Sequence, residues 1–184
     1  MKYLQKTSIV LLIIIFIATM VVTVFIDRRG NLATVIGEDL KNLKHAFQKI
    51  HADCEILGFD HVKNPITFLN VIKFSGSEVG SMNLVHPELW HGPYLKENPT
   101  ISGTEYQLVR AHDGYFIIPG DNVQLPNGKV VGKDVVLDTE TELAPALLDQ
   151  QRLRYKDMPL GVKIVFESAL QKGLETLPAE YMDE

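Results

Sequence analysis

The chain has 184 residues, 46% of them hydrophobic, and a formal net charge of −5. All 23 acidic residues but only 16 of the 18 basic ones follow Ile26, so that part carries −7 and argues against nucleic acid or anionic lipid as its partner. The lone cysteine, Cys54, excludes an intramolecular disulfide and, lying on an apolar stripe, is expected to be buried and inert.

Residues 1–7 form a short segment with Lys2 and Lys6, and residues 8–26 are nineteen positions without a charge. At the helical rise this run covers about 28 Å, close to the ~30 Å hydrocarbon core of a bilayer. Ser8, Thr19 and Thr23 interrupt it, and helical hydroxyls can bond to carbonyls one turn earlier. The run ends in VVTVFIDRR, with no small-residue cleavage pattern, so it reads as a permanent anchor rather than a secretory signal. Ile9, Leu12, Phe16, Met20 and Phe25 represent its lipid- or helix-facing surface. Lys2 and Lys6 oppose Arg28 and Arg29, so charge alone gives no orientation.

Apolar positions continue in steps of three and four through Ile36, Leu40, Leu43, Phe47, Ile50, Cys54 and Leu57. That spacing predicts an amphipathic continuation over residues 27–57, giving one helix from about 7 to 57 that is softened near Gly30. Gly58 would stop it.

Residues 58–184 are expected to form a globular α+β domain of about 127 residues, with a real core. Asn64-Pro65 can start a short helix over 66–74, for which a strand is the rival reading. Strands are expected at 105–110, 114–120, 129–132 and 133–138, with Asn127-Gly128 as a hairpin turn. Residues 140–154 and 162–177 read as two additional C-terminal helices, the first weakened by Pro145.

Little points to catalysis. G-x-S-x-G, a phosphate-cradling glycine loop and H-E-x-x-H are all absent, and the chain is read as a non-enzyme. His86, His91 and His112 match no zinc spacing, and no metal or other cofactor is expected from them. Asp113, Asp121, Asn122, Asn127 and Asp134 offer oxygens that could suit calcium, but without a twelve-residue calcium loop they read as turn residues.

The informative local string is Trp90-His91-Gly92-Pro93-Tyr94-Leu95, a turn pinned by Trp90, Tyr94 and Leu95, and followed by Pro99, Gly103 and Tyr106. With the half-apolar, half-amphipathic helix before it, this segment resembles the type IV pilin superfamily, especially the major pseudopilins of type II secretion. The order of elements agrees from about residue 8 to residue 107. The resemblance implies a long helix packed on a small antiparallel sheet, an extracytoplasmic domain, and assembly through bundled amino-terminal helices into a pilus or pseudopilus. It also implies other pilin-like subunits and the lipid bilayer as partners. The chain departs from the family at the head of the run, where Lys6-Thr7 precede it, Gly30 is the first glycine and Glu38 the first glutamate. It also lacks the glycine-rich calcium loop of those proteins. A single-pass anchored binding domain, with the stripe serving as a coiled-coil seam, is the alternative.

Overall fold

The structure, a computed structural model, describes residues 2–166, with the side chains of residues 2–10 and of Phe25 outside the description. One helix, α1 (Lys2–Cys54), runs unbroken for 53 residues. Gly30 and Gly37 lie within it without interrupting it. Its second half buries Ala33, Ile36, Leu40, Leu43, Ala46, Phe47, Ile50 and Cys54, the predicted stripe with two alanines added. Leu57 does not belong to it. The helix stops at Cys54 because Glu55 takes a left-handed conformation (φ 53°), and His51 Nδ1 accepts the Ile56 N–H at 3.1 Å. Leu57 therefore falls in strand β1 (Ile56–Phe59), at a bulge, and is 75% exposed.

The chain continues through β2 (Lys63–Pro65), β3 (Glu78–Val79), β4 (Met82–Leu84) and a 3-10 turn at Pro87–Leu89. It then forms β5 (Thr100–Ile101), β6 (Thr104–Ala111), β7 (Gly114–Pro119) and a one-turn helix α2 (Leu143–Ala146). A hairpin of β8 (Arg154–Tyr155) and β9 (Met158–Pro159) precedes the last described strand, β10 (Val162–Ile164).

The main antiparallel sheet has the order β10-β7-β6-β2, with β5 pairing the start of β6. Its centre is the β6–β7 hairpin, closed by His112-Asp113, with Leu108 opposite Ile117 and Val109 opposite Phe116. Leu108, Val109, Phe116, Ile117 and Ile118 are all fully buried, so both faces of the pleat are covered. Tyr106 reaches Asp39 of α1, which makes the Tyr106–Leu108–Ile117 face the helix side. Gln107 instead bonds Asp121, so the opposite face lies under the long segment that follows β7. A second, three-stranded sheet (β1-β4-β3) closes the core beyond the end of α1.

Four further expectations are corrected. Residues 66–74 form neither a helix nor a strand: Ile66, Phe68 and Leu69 are buried at non-helical spacing, and Asn98 and the Tyr94 and Leu95 amides bind the backbone around Leu69 instead. Strands at 129–132 and 133–138 are reduced to isolated bridges, Gln124 with Val130 and Val131 with Val135. The expected hairpin turn survives, with Gly128 donating to the Leu125 carbonyl at 2.8 Å. Residues 140–154 hold only the single turn of α2; chain beyond it is held as loop by the Asn127 amide, which donates to the Arg152 carbonyl at 2.9 Å. Residues 162–164 are a strand because they pair with β7, and the rest of that expected helix, 167–177, lies outside the described residues. The α+β arrangement holds, with short C-terminal strands where helices were expected.

Candidate functional site

Two features carry functional weight: the bare half of α1 and the loop at residues 90–95. In the first, every described side chain from Leu11 to Ile26 is exposed, with Leu12 at 69% and Phe16 and Met20 at 60%. Ile9 and Phe25 belong to the same helix, with side chains outside the description. This is the one helix among the described residues that is long and apolar enough to cross a membrane, and none of its apolar window is buried by the rest of the protein. Thr19 donates to the Ile15 and Phe16 carbonyls at 3.0 and 2.8 Å, and Thr23 donates to Thr19 at 2.8 Å. The hydroxyls thus need no outside partner, which suits a surface surrounded by hydrocarbon.

The 90–95 loop is fastened at both ends. Trp90 Nε1 donates to the Val71 carbonyl at 3.1 Å, while its ring meets Tyr94 at 4.7 Å and Phe74 at 5.2 Å, both edge-on. Tyr94 Oη donates to Asp53 at 3.4 Å, accepts the His91 N–H at 3.3 Å, and lies 3.9 Å from Cys54 Sγ; the Lys49 ammonium lies over its ring at 5.7 Å. Gly92 precedes a cis Pro93, and a Cβ on Gly92 would stand 2.1 Å from the Val71 carbonyl oxygen. Only glycine lets the loop approach that carbonyl. Leu95 packs on the core edge and Pro93 faces solvent. The turn therefore locks residues 66–74 to the last two turns of α1. Burial pushes both the Tyr94 phenol and the Cys54 thiol up, so both stay protonated and unreactive at neutral pH.

The polar groups elsewhere hold structure. Tyr106 is fully buried and donates to Asp39 at 2.9 Å; burial raises the Asp39 carboxyl, Tyr106 partly offsets this, and Glu38 adds to it. Asp113 accepts the Leu143 and Ala144 amides at 3.0 and 2.7 Å. Burial works against its ionisation, but those amides outweigh it and lower its pKa. Asp121 pairs with Lys63 at 2.8 Å and accepts from Gln107 at 3.1 Å; burial is again outweighed, by Lys63 first. Asp134 accepts the Val130 N–H, Asn127 binds three carbonyls, and Asn122 takes a left-handed turn position. Of the five residues weighed for calcium, Asp121 and Asn122 share one turn and Asp113, Asn127 and Asp134 lie in others. Among the described residues no group of three or more His, Cys, Asp or Glu is placed to hold a metal ion. His86 lies 3.3 Å from Glu88, and His91 and His112 are exposed.

Sequence reasoning missed Asp39, Asp53, Lys49 and Asn98. Asp39 and Asp53 flank stripe residues Leu40 and Cys54, a placement that signals carboxylates at the rim of a buried face; Asn98 carries no such signal. Comparison with family models, with curated proteins and with solved structures finds no match to this chain.

Proposed function

We propose that the chain is a pilin-like structural subunit, held in a bilayer by residues 8–26 and assembled with other pilin-like subunits through that helix into a type II secretion pseudopilus or a type IV pilus-like filament. One observation carries this reading: a single unbroken helix has one half covered by its own domain and the other half apolar and bare. In a filament the bare half exchanges lipid contacts for helix contacts, where packing and satisfied polar groups supply the drive. The domain then lies on the extracytoplasmic side, and its role is mechanical.

The non-polymerising anchored domain is the second reading, favoured by the absence of a glutamate at the head of the apolar run, where Glu38 is the first. A coiled-coil seam is not its means of association, because Ile36, Leu43, Phe47 and Ile50 are fully buried inside the chain. Amino-terminal sequencing and intact mass of membrane-purified protein, with electron microscopy of the sheared fraction, separate the two. A shortened, N-methylated terminus in shearable filaments supports assembly. An intact Met1 in a protein that stays monomeric in the membrane overturns it.

A further inference from the structure

The part of the chain after Ile26 is acidic as a whole, but its charge is unevenly placed. Arg152, Arg154 and Lys156 alternate into and through β8, while Leu153 and Tyr155 between them turn to the core, the first fully and the second partly buried. The two-residue period of a strand therefore sets three cations on the outer side of the β8–β9 hairpin. None of the three forms an ion pair among the described residues; Asp149 accepts the Gln151 amide at 2.7 Å, and Asp157 is the one acid of the turn. The edge is also a built one. Asn127 donates to the Gln150, Arg152 and Arg154 carbonyls at 3.2, 2.9 and 3.2 Å. Arg154 donates to the Lys156 and Asp157 carbonyls at 2.9 and 3.5 Å, and the Lys156 ammonium lies over the Tyr155 ring at 5.4 Å. At the tip the exposed Lys156 takes a left-handed conformation (φ 53°), a position that glycine fills more easily.

The sheet register gives the height of this hairpin along α1. Phe166 meets His51 at 5.3 Å and Tyr115 at 5.6 Å, so the Tyr115 end of β7 lies beside the last turns of α1. Tyr106, paired with Pro119 at the other end of β7, reaches Asp39, about three turns nearer the anchor. β10 sets Ile164 opposite Tyr115 and Val162 opposite Ile117, so the chain before Val162 continues toward the anchor, and β9 packs on α1. From Phe166 back to Met158, eight residues of extended chain cover up to about 26 Å, as much as about 17 residues of helix. That carries β9 from the level of His51 toward Ala33 and Ile36, the first positions α1 buries. Ala33 stands seven residues, about 10 Å, beyond Ile26, and the headgroup layer is about 5–8 Å deep on each side of the hydrocarbon. Lysine and arginine side chains are long enough to bridge the remainder.

We infer that the β8–β9 hairpin is a second membrane contact, in which Arg152, Arg154 and Lys156 meet the phosphates of anionic lipid headgroups beside the anchor. Arg28 and Arg29, exposed on α1 just past the apolar run, are the cations already at that level. Basic groups held against a bilayer are drawn to anionic lipid within a Debye length, about 10 Å at 0.1 M salt. A contact to one side of α1 also resists tilting of the helix. The inference rests on the anchor, which both readings of the function share, and not on polymerisation.

The test uses the full chain in nanodiscs of phosphatidylcholine, alone or mixed with phosphatidylglycerol, with a nitroxide on some headgroups. A fluorophore is placed on Pro159→Cys in β9 or on Leu57→Cys, exposed beyond the far end of α1; buried Cys54 stays unlabelled. Quenching should be severalfold greater at position 159 than at 57, should rise about twofold with the anionic lipid, and should lose that rise in about 0.5 M salt. Arg152→Gln with Lys156→Gln leaves the Arg154 bonds in place and should abolish the rise while amide exchange in β6 and β7 is unchanged; Arg152→Lys with Lys156→Arg should keep it. Equal quenching at the two positions, a rise indifferent to anionic lipid or salt, or a rise that survives the double glutamine variant would each overturn the inference. A chain that fails to co-elute with the discs would overturn the anchor and the inference together, and is recognised before any quenching is read.

Discussion

The two halves of α1 share a backbone and differ in what surrounds them. From Ala33 to Cys54 the apolar residues occupy one stripe and are covered by the sheet, the 90–95 loop and the 66–74 segment. From Leu11 to Ile26 they occupy every side and are covered by nothing in the chain. The difference teaches that helix geometry is indifferent to its solvent, while the angular width of the apolar surface is not. A narrow stripe specifies a protein partner, and an all-round apolar surface specifies hydrocarbon or many neighbours.

The sharpest way to break this contrast is the same substitution in each half. Leu40→Asp places an unpaired charge at a buried position and should cost several kcal/mol, comparable to the ~5–15 kcal/mol stability of a typical domain. Denaturant titration should therefore find it unfolded or nearly so. Leu12→Asp should leave the domain folded and instead weaken membrane insertion, by less than the ~2.5–3.5 kcal/mol a charge costs at a helix centre because Leu12 lies toward one end of the run, as flotation on vesicles would show. Phe47→Ala removes a ring packed edge-on to Phe59 and Phe68 and should cost about 3–5 kcal/mol, whereas Phe16→Ala should not move the unfolding midpoint. Gly92→Ala drives a methyl into the Val71 carbonyl; a loss of about 2–3 kcal/mol, with a red-shifted Trp90 fluorescence, is expected.

The carboxylates sharpen the contrast further at smaller magnitude. Asp113→Ala leaves two α2 amides without their acceptor and should cost about 1–2 kcal/mol by denaturant titration at pH 7. The folded pKa of Asp113 lies below the unfolded value of about 3.9, so its contribution is full above that pH and is lost as pH falls through the folded value. Asp39 has the opposite sign. Its folded pKa is raised, so its favourable contribution is present below about pH 3.9 and lost as pH rises through the folded value. Asp39→Asn, which keeps an acceptor for Tyr106, should flatten that part of the stability profile and slightly stabilise the domain at neutral pH. An unchanged slope as pH rises from about 3.9 would show that the carboxylate is solvated well enough to escape the burial.

What could be read from the sequence was whatever is encoded by local periodicity. The three-four spacing from Ile36 to Cys54 and the two strands around His112-Asp113 appear where expected, because neighbouring residues alone determine them. Leu57 fit the same spacing, yet the helix ends three residues earlier through the His51 ring and the left-handed Glu55. Val162, Ile164 and Phe166 alternate as a strand does, but Val162 and Phe166 also open a stripe of helical period that runs on to Leu177. Pairing with β7, more than forty residues earlier in the chain, decides between the two periods at Val162–Ile164. The cover over the second sheet face is held by the same kind of remote bonds, from Asp113, Asp121 and Asn127 to distant backbone or side-chain groups. For the 90–95 loop, its aromatic residues announced that it would be pinned, but its contacts with Val71 and Asp53 come from parts of the chain 19 and 41 residues away.

Only six residues separate Ile26, the last of the apolar run, from Ala33, the first buried by the domain, and all six are helical. There is no linker and hence no swivel. Each residue of a helix turns about 100°, so the azimuth of the domain about the anchor is set by residue count alone. Inserting one residue between Arg28 and Ala33 would rotate the domain by that angle relative to any neighbour gripping the apolar half. Pulling on the anchor would likewise load the domain along a hydrogen-bonded rod, with no slack to take up first.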